Sequence, residues 1–152
     1  MRVLMVCLGN ICRSPLAEGI MKQQAAQAGF EWFVDSAGTG HWHTGALPDP
    51  RSIQTAHTHG IDITDQRARQ ILPTDFDRFD RIFVMDVLNL NDVLRLARNE
   101  SDRSKVSLLL DQVYPGQNQS VPDPYHDDDG FEAVFQMLEL SCAAFVDRYQ
   151  PA

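Results

Sequence analysis

The chain has 152 residues, enough for one domain with its own core and too few for two of ordinary size. Hydrophobic residues make up 43% and charged residues 22%, which excludes wholesale disorder, and no apolar run approaches the roughly 20 residues that a membrane span requires. Thirteen Lys and Arg against 21 Asp and Glu give a net charge of −8, an argument against a nucleic-acid partner, whose footprint is a basic stripe.

In chain order, the first apolar run covers residues 2–6 and is too short for a secretion signal, with no small-residue cleavage site after it. It is expected to be a buried strand. Ser14-Pro15 then reads as an N-cap followed by the proline that suits the first helical position. Leu16, Ala17, Ile20, Met21 and Ala28 share one side of the expected helix 15–28. Residues 31–35 form a second candidate strand, and residues 50–59 a helix that stops at Gly60. A third strand is expected over 81–85, a helix over 87–97 with Val87, Leu90, Leu94 and Ala97 on one stripe, and a fourth strand over 105–110. The strongest periodicity lies in 131–149, where Phe131, Val134, Phe135, Leu138, Cys142, Phe145 and Tyr149 recur at three- and four-residue spacings. Cys142 on that stripe is a core position.

Strands alternating with helices of this length imply an α/β fold of right-handed parallel crossovers, with helices on both faces of the sheet. Nothing in the composition marks a boundary, so residues 1–152 are expected to form a single domain. In such folds ligands bind beyond the carboxyl ends of the strands. The three cysteines, Cys7, Cys12 and Cys142, are an odd count in a chain that needs no staples, which favours a reducing, cytoplasmic setting.

The loop after the first strand reads Cys7-Leu8-Gly9-Asn10-Ile11-Cys12-Arg13-Ser14 and runs directly into a helix start. A helix N-terminus offers unpaired N–H groups and a partial positive charge, and successive backbone N–H groups in a tight loop can wrap an anion. Gly9 and Asn10 tolerate the positive φ that such a loop requires. Arg13 adds a planar fork of donors for two phosphate oxygens. Cys7 sits at the base of this cradle, where the same positive field and the Ser14 hydroxyl favour a thiolate nucleophile. One loop can then bind a tetrahedral dianion and set a sulfur against its phosphorus, the positioning on which phosphoryl transfer depends.

With this loop in place, the sequence resembles the low-molecular-weight protein tyrosine phosphatases. The signature runs from Val6 to Pro15, and the resemblance extends to Val34-Asp35-Ser36-Ala37-Gly38-Thr39-Gly40, Pro48-Asp49-Pro50-Arg51, the stretch 80–86 and Asp123-Pro124-Tyr125. The Ser-Ala-Gly-Thr-Gly form is closer to bacterial members than to animal ones. The resemblance implies a four-stranded parallel sheet in a three-layer, doubly wound arrangement, and a two-step hydrolysis of phosphotyrosine in proteins, and of small aryl phosphates, without metal or cofactor. In that scheme Cys7 becomes a phosphocysteine, while Arg13 and the amides of Leu8, Gly9, Asn10, Ile11, Cys12 and Ser14 hold the phosphoryl oxygens. Asn10 keeps the loop in shape and Ser14 stabilises the thiolate. Asp123 protonates the leaving phenolate and later activates water, a role that chemistry also demands. Ile11, Trp42 and Tyr125 contact the substrate ring, Cys12 forms a reversible disulfide with an oxidised Cys7, and inorganic phosphate is both product and weak inhibitor.

The sequence departs from the family at two points. Many members carry a histidine, bracing the loop asparagine, where this chain has Gln66. Animal members often pair two tyrosines where this chain has Tyr125 and His126. A related branch acting on phosphoarginine has threonine at position 11, so Ile11 favours an aromatic ring. Asp127, Asp128, Asp129 and Glu132 read as solvated charges at a helix start. His41, His43, His57 and His59 lack zinc partners, and no metal is expected. Two other readings compete. An arsenate reductase on the same fold needs two further downstream cysteines, and only Cys142 is present. A non-catalytic phosphoprotein-binding module would have no use for Asp123.

Overall fold

A computed structural model describes residues 1–151. Four strands, β1 (Arg2–Cys7), β2 (Phe33–Gly38), β3 (Arg81–Val84) and β4 (Val106–Leu108), form one sheet in the order β2-β1-β3-β4. Every neighbouring pair is parallel. Six helices complete the fold: α1 (Arg13–Gln27), α2 (Pro50–Thr58), α3 (Asp75–Arg78), α4 (Val87–Leu96), α5 (Glu100–Ser104) and α6 (Phe131–Asp147). The α/β expectation, with helices on both faces, matches this arrangement.

The alternation of side chains along β1 sorts the core. Val3, Met5 and Cys7 face one side, where Leu16 and Ile20 of α1 and Leu138 and Phe145 of α6 complete the packing. Leu4 and Val6 face the other, against Phe76 of α3 and Val93 of α4. Both faces being covered, Val3 through Val6 are fully buried and read as one apolar run. Each such side chain contributes about 1.5–3 kcal/mol when removed from water.

Most element boundaries differ from the sequence expectation by a residue or two, and three differences have a structural reason or a consequence for the site. The second strand lies at Phe33–Gly38 rather than 31–35, because its register with β1, from Arg2 opposite Phe33 to Cys7 opposite Gly38, carries it up to the level of the following loop. Its last residues, Ser36, Ala37 and Gly38, are too small to register as an apolar run, yet they are buried. Helix α1 starts at Arg13, and Cys12, not Ser14, occupies its N-cap position without a side-chain cap. The fourth strand is cut to Val106–Leu108 by a 3₁₀ turn over Leu109–Gln112. The short helices α3 and α5 have no sequence signature long enough to be read.

The strand order fixes where a ligand can sit. From β1 the chain moves outward to β2, and from β3 it moves outward to β4, so the order reverses between β1 and β3. The crevice beyond their carboxyl ends is bounded by the loop after Cys7 and the residues after Val84.

Candidate active site

The loop after β1 is anchored through its carbonyls from two places, the residues just after β2 and the start of α2. Thr39 N–H donates to Cys7 O, Gly40 N–H to Leu8 O and Asp49 N–H to Ile11 O. Ser52 Oγ donates to Cys12 O at 3.2 Å. Among the described residues, no N–H of positions 8–12 donates to a protein acceptor. With the uncapped first turn of α1, these amides form a concave set of donors, an anion site by geometry.

Asn10 alone in the loop takes a left-handed φ, +57°, while Gly9 does not use its freedom in that way. Three partners fix the Asn10 side chain: Arg69 N–H donates to its Oδ1 at 3.0 Å, and its Nδ2 donates to Ser14 Oγ at 2.8 Å and Ser36 Oγ at 3.0 Å. Ser36 Oγ donates onward to Glu18 Oε1 at 2.7 Å, and Lys22 holds the other carboxylate oxygen at 2.6 Å. Burial pushes the Glu18 carboxyl above its usual range, against the pull of Lys22 and Ser36. Gln66 takes no part in bracing Asn10. Its Nε2 donates to Pro15 O at 3.0 Å, and its Oε1 is buried without a partner among the described residues.

This wiring places the Ser14 hydroxyl against the sulfur. Its Oγ accepts from Asn10 and lies 3.0 Å from Cys7 Sγ and 3.5 Å from Ala37 O, so the sulfur is the nearer of the two groups to which its hydrogen can be given. A hydroxyl aimed at sulfur stabilises the thiolate form. Ser14 therefore serves the sulfur instead of capping the helix.

Arg13 is 2% exposed and is aimed from the far side of the crevice. Its Nη1 donates to Asp86 Oδ2 at 2.7 Å and to Val121 O at 2.9 Å. Nε and Nη2 donate to no protein acceptor among the described residues, and Asp123 Oδ2 lies 3.7 Å from Nη2. Sequence reasoning missed Asp86. It follows the third strand and caps α4 through Asn89 N–H at 2.7 Å, so its place at the reversal of strand order was the available signal.

A cavity of about 280 Å³ opens over Cys7, lined by Leu8, Gly9, Ile11, Cys12, Arg13, Trp42, His43, Asp123, Tyr125 and His126. The candidates drawn from separate stretches of sequence thus converge. Trp42 is 66% exposed at its mouth. Its ring lies on Gly40, where a Cβ would fall 2.0 Å from Cζ3. Asp123 forms a local turn, its Oδ1 accepting from Tyr125 N–H at 3.1 Å, while its other oxygen faces Arg13. Cys12 is buried, and burial, followed by the negative charge of Asp49, pushes its thiol up to about 12. Cys142 is fully buried on α6, with its sulfur 4.0 Å from Ala17 O. Two of the acidic residues after the acid loop are paired rather than merely solvated: Asp128 with Arg51 at 2.6 Å and Glu132 with His59 at 2.8 Å.

A cysteine under a ring of amides, flanked by a buried arginine and faced by a carboxylate across a slot, defines a cysteine-dependent phosphatase fold and site. Residues 2–151 match the family described as low molecular weight phosphotyrosine protein phosphatase, and the chain belongs to that family. It is 43% identical over 145 residues to a low molecular weight protein-tyrosine-phosphatase of Streptomyces coelicolor, covering 92% of this chain and 88% of that one. Identity to a phosphotyrosine protein phosphatase of Schizosaccharomyces pombe is 41% over 145 residues, 92% of each chain. The fold also superimposes on the crystal structure of a Drosophila arginine phosphatase with a TM-score of 0.91, at 35% identity over 99% of both chains.

Proposed function

We propose that this protein hydrolyses phosphotyrosine in proteins, and small aryl phosphates, through a phosphocysteine on Cys7. The observation that carries the reading is the Cys7 sulfur, 3.0 Å from Ser14 Oγ beneath a loop whose amides donate to no protein acceptor among the described residues. The amides of residues 8–14 and Arg13 take the three phosphoryl oxygens. The Sγ–P bond forms as the bond from phosphorus to the phenolic oxygen breaks, and Asp123 gives its proton to that oxygen. In the second step the Asp123 carboxylate takes a proton from water as the water oxygen attacks phosphorus, and the thiolate and inorganic phosphate leave. Phosphate, fitting the same cradle, inhibits weakly.

Ile11, Trp42 and Tyr125 form the walls against which the substrate ring packs. The shared fold with an arginine phosphatase gives no preference between phosphotyrosine and phosphoarginine. That choice rests on the branched apolar side chain of Ile11 and on the aromatic rim. Three free cysteines fit a reducing, cytoplasmic setting, and among the described residues no helix is long and apolar enough to cross a membrane. Under peroxide, a sulfenic acid on Cys7 condenses with the Cys12 thiol, losing water and forming a reversible disulfide.

A panel of phosphotyrosine, phosphoserine and phosphoarginine peptides, assayed without added metal, tests the reading. Turnover is expected on phosphotyrosine and to vanish in Cys7→Ser. Preference for phosphoarginine would overturn the role of Ile11, and near-normal turnover by Cys7→Ser would remove the nucleophile.

A further inference from the structure

The segment that carries Asp123 has no regular structure to hold it. Between the 3₁₀ turn ending at Gln112 and the one beginning at Asp128 the chain forms neither helix nor strand. On the upstream side Val121 is pinned from both directions, its N–H donating to Met85 O at 2.7 Å and its O accepting from Arg13 at 2.9 Å. Downstream of Asp123 the backbone bonds are local only: Tyr125 N–H to the Asp123 carboxylate and Asp127 N–H to Pro124 O. A turn fixed at one end can swing about that end, and an acid displaced by about 1 Å loses much of its effect.

Arg51 supplies the second fixing point. Its guanidinium lies 5.6 Å from the Tyr125 ring centroid and 4.6 Å from that of Phe131, within reach of cation–π attraction. Its Nη1 donates to Asp128 Oδ1 at 2.6 Å. The other edge of the fork grips Asp49, Nε to Oδ1 at 3.0 Å and Nη2 to Oδ2 at 2.9 Å. Asp49 is itself tied to the anion loop, since its N–H donates to Ile11 O at 2.8 Å. One planar cation therefore joins the loop under the phosphate to the turn bearing the acid, through hydrogen bonds on two edges and a ring under its face. A lysine offers a single point charge and cannot make both edges.

We propose that Arg51 is a positioning residue for proton transfer, holding the Asp123 turn at a fixed distance from the phosphate loop. This rests on the assignment of Asp123 as general acid, and the test separates the two. The measured quantity is kcat/KM, which reports the first phosphoryl transfer, for phenyl phosphate (a poor leaving group that needs a proton) and 2,4-dinitrophenyl phosphate (a good one that does not). Arg51→Met is expected to lower the phenyl phosphate value about tenfold while changing the dinitrophenyl value less than about twofold, as loss of acid catalysis requires. Arg51→Lys should fall between Met and wild type. Arg51→Met added to Asp123→Ala should cost nothing further on phenyl phosphate, because the two act as one unit.

Equal losses on both substrates, or a loss that adds to that of Asp123→Ala, would overturn the proposal, since either would mean that Arg51 supports the cradle rather than the acid. If the methionine variant does not fold, the lysine variant decides by the same comparison. Should Asp123→Ala itself ignore the leaving group, the acid assignment falls and Arg51 with it. A leaving-group effect in Asp123→Ala with none in the Arg51 variants would defeat Arg51 alone.

Discussion

Cys7 and Cys12 share one short loop but differ in their surroundings. Cys12 is held as a thiol, pushed up to about 12 by burial and by the charges of Asp49, Cys7 and Asp123. Cys7 Sγ instead lies 3.0 Å from the Ser14 hydroxyl. The same contrast of surroundings governs Arg13, whose burial is tolerable only because Asp86 and Val121 O occupy one of its nitrogens. Asp86→Ala removes that partner and the cap of α4 together. The variant is expected to melt at a lower temperature and to lose about tenfold in kcat/KM, as a charged donor left unpaired drifts from its aim. Unchanged turnover on p-nitrophenyl phosphate would show that Val121 O alone orients the guanidinium.

At the scale of elements, the site is a junction of one helix start and two strand ends. Helix α1 dispenses with a side-chain cap, leaving its first amides to the cradle, and is stabilised by burial of the whole stretch from Arg13 to Met21. Strand β2 serves as a wall against which the loop is pressed. A Cβ on Gly38 would lie 2.8 Å from Leu8 O and 3.1 Å from Asn10 N, both backbone atoms that cannot step aside. Gly38→Ala therefore pushes the cradle itself. A drop of about 100-fold in kcat/KM is expected, with far-ultraviolet circular dichroism unchanged, the scale that a displacement near 1 Å produces. Wild-type activity in that variant would mean that the loop yields freely.

The whole molecule couples its stability to the same site through charge. Asp49 lies below the usual carboxylate range, chiefly because the Arg51 side chain donates to it. A carboxylate lowered on folding contributes stability that is complete above its ordinary value near 3.8 and lost as pH falls through the folded value. Asp49→Asn keeps the cap on α2 while deleting the charge. Urea unfolding should find it less stable than wild type by about 1 kcal/mol at pH 7, with the gap closing toward pH 2. A gap that persists in acid would mean that the carboxylate charge is not its source. Glu18 acts with the opposite sign: burial raises it, so its contribution worsens as pH climbs from the ordinary value toward the folded one.

The sequence by itself determined the alternation of strands and helices and marked the loop from Cys7 to Ser14 as an anion site, because both follow from local rules, apolar runs and helix-start chemistry, whereas Asp123 was singled out among its neighbouring carboxylates by resemblance to the family. Tertiary structure decided what depends on approach across the fold. Ser36 and Gly38 entered the site because strand register, not hydropathy, carried β2 to the loop. Ser14 lies against the sulfur and not at the helix cap because α1 starts at Arg13 and Cys12 takes the N-cap position. Asp86 and Arg51 acquired their work from partners 73 and 77 positions away, distances along the chain at which no periodicity or spacing carries information.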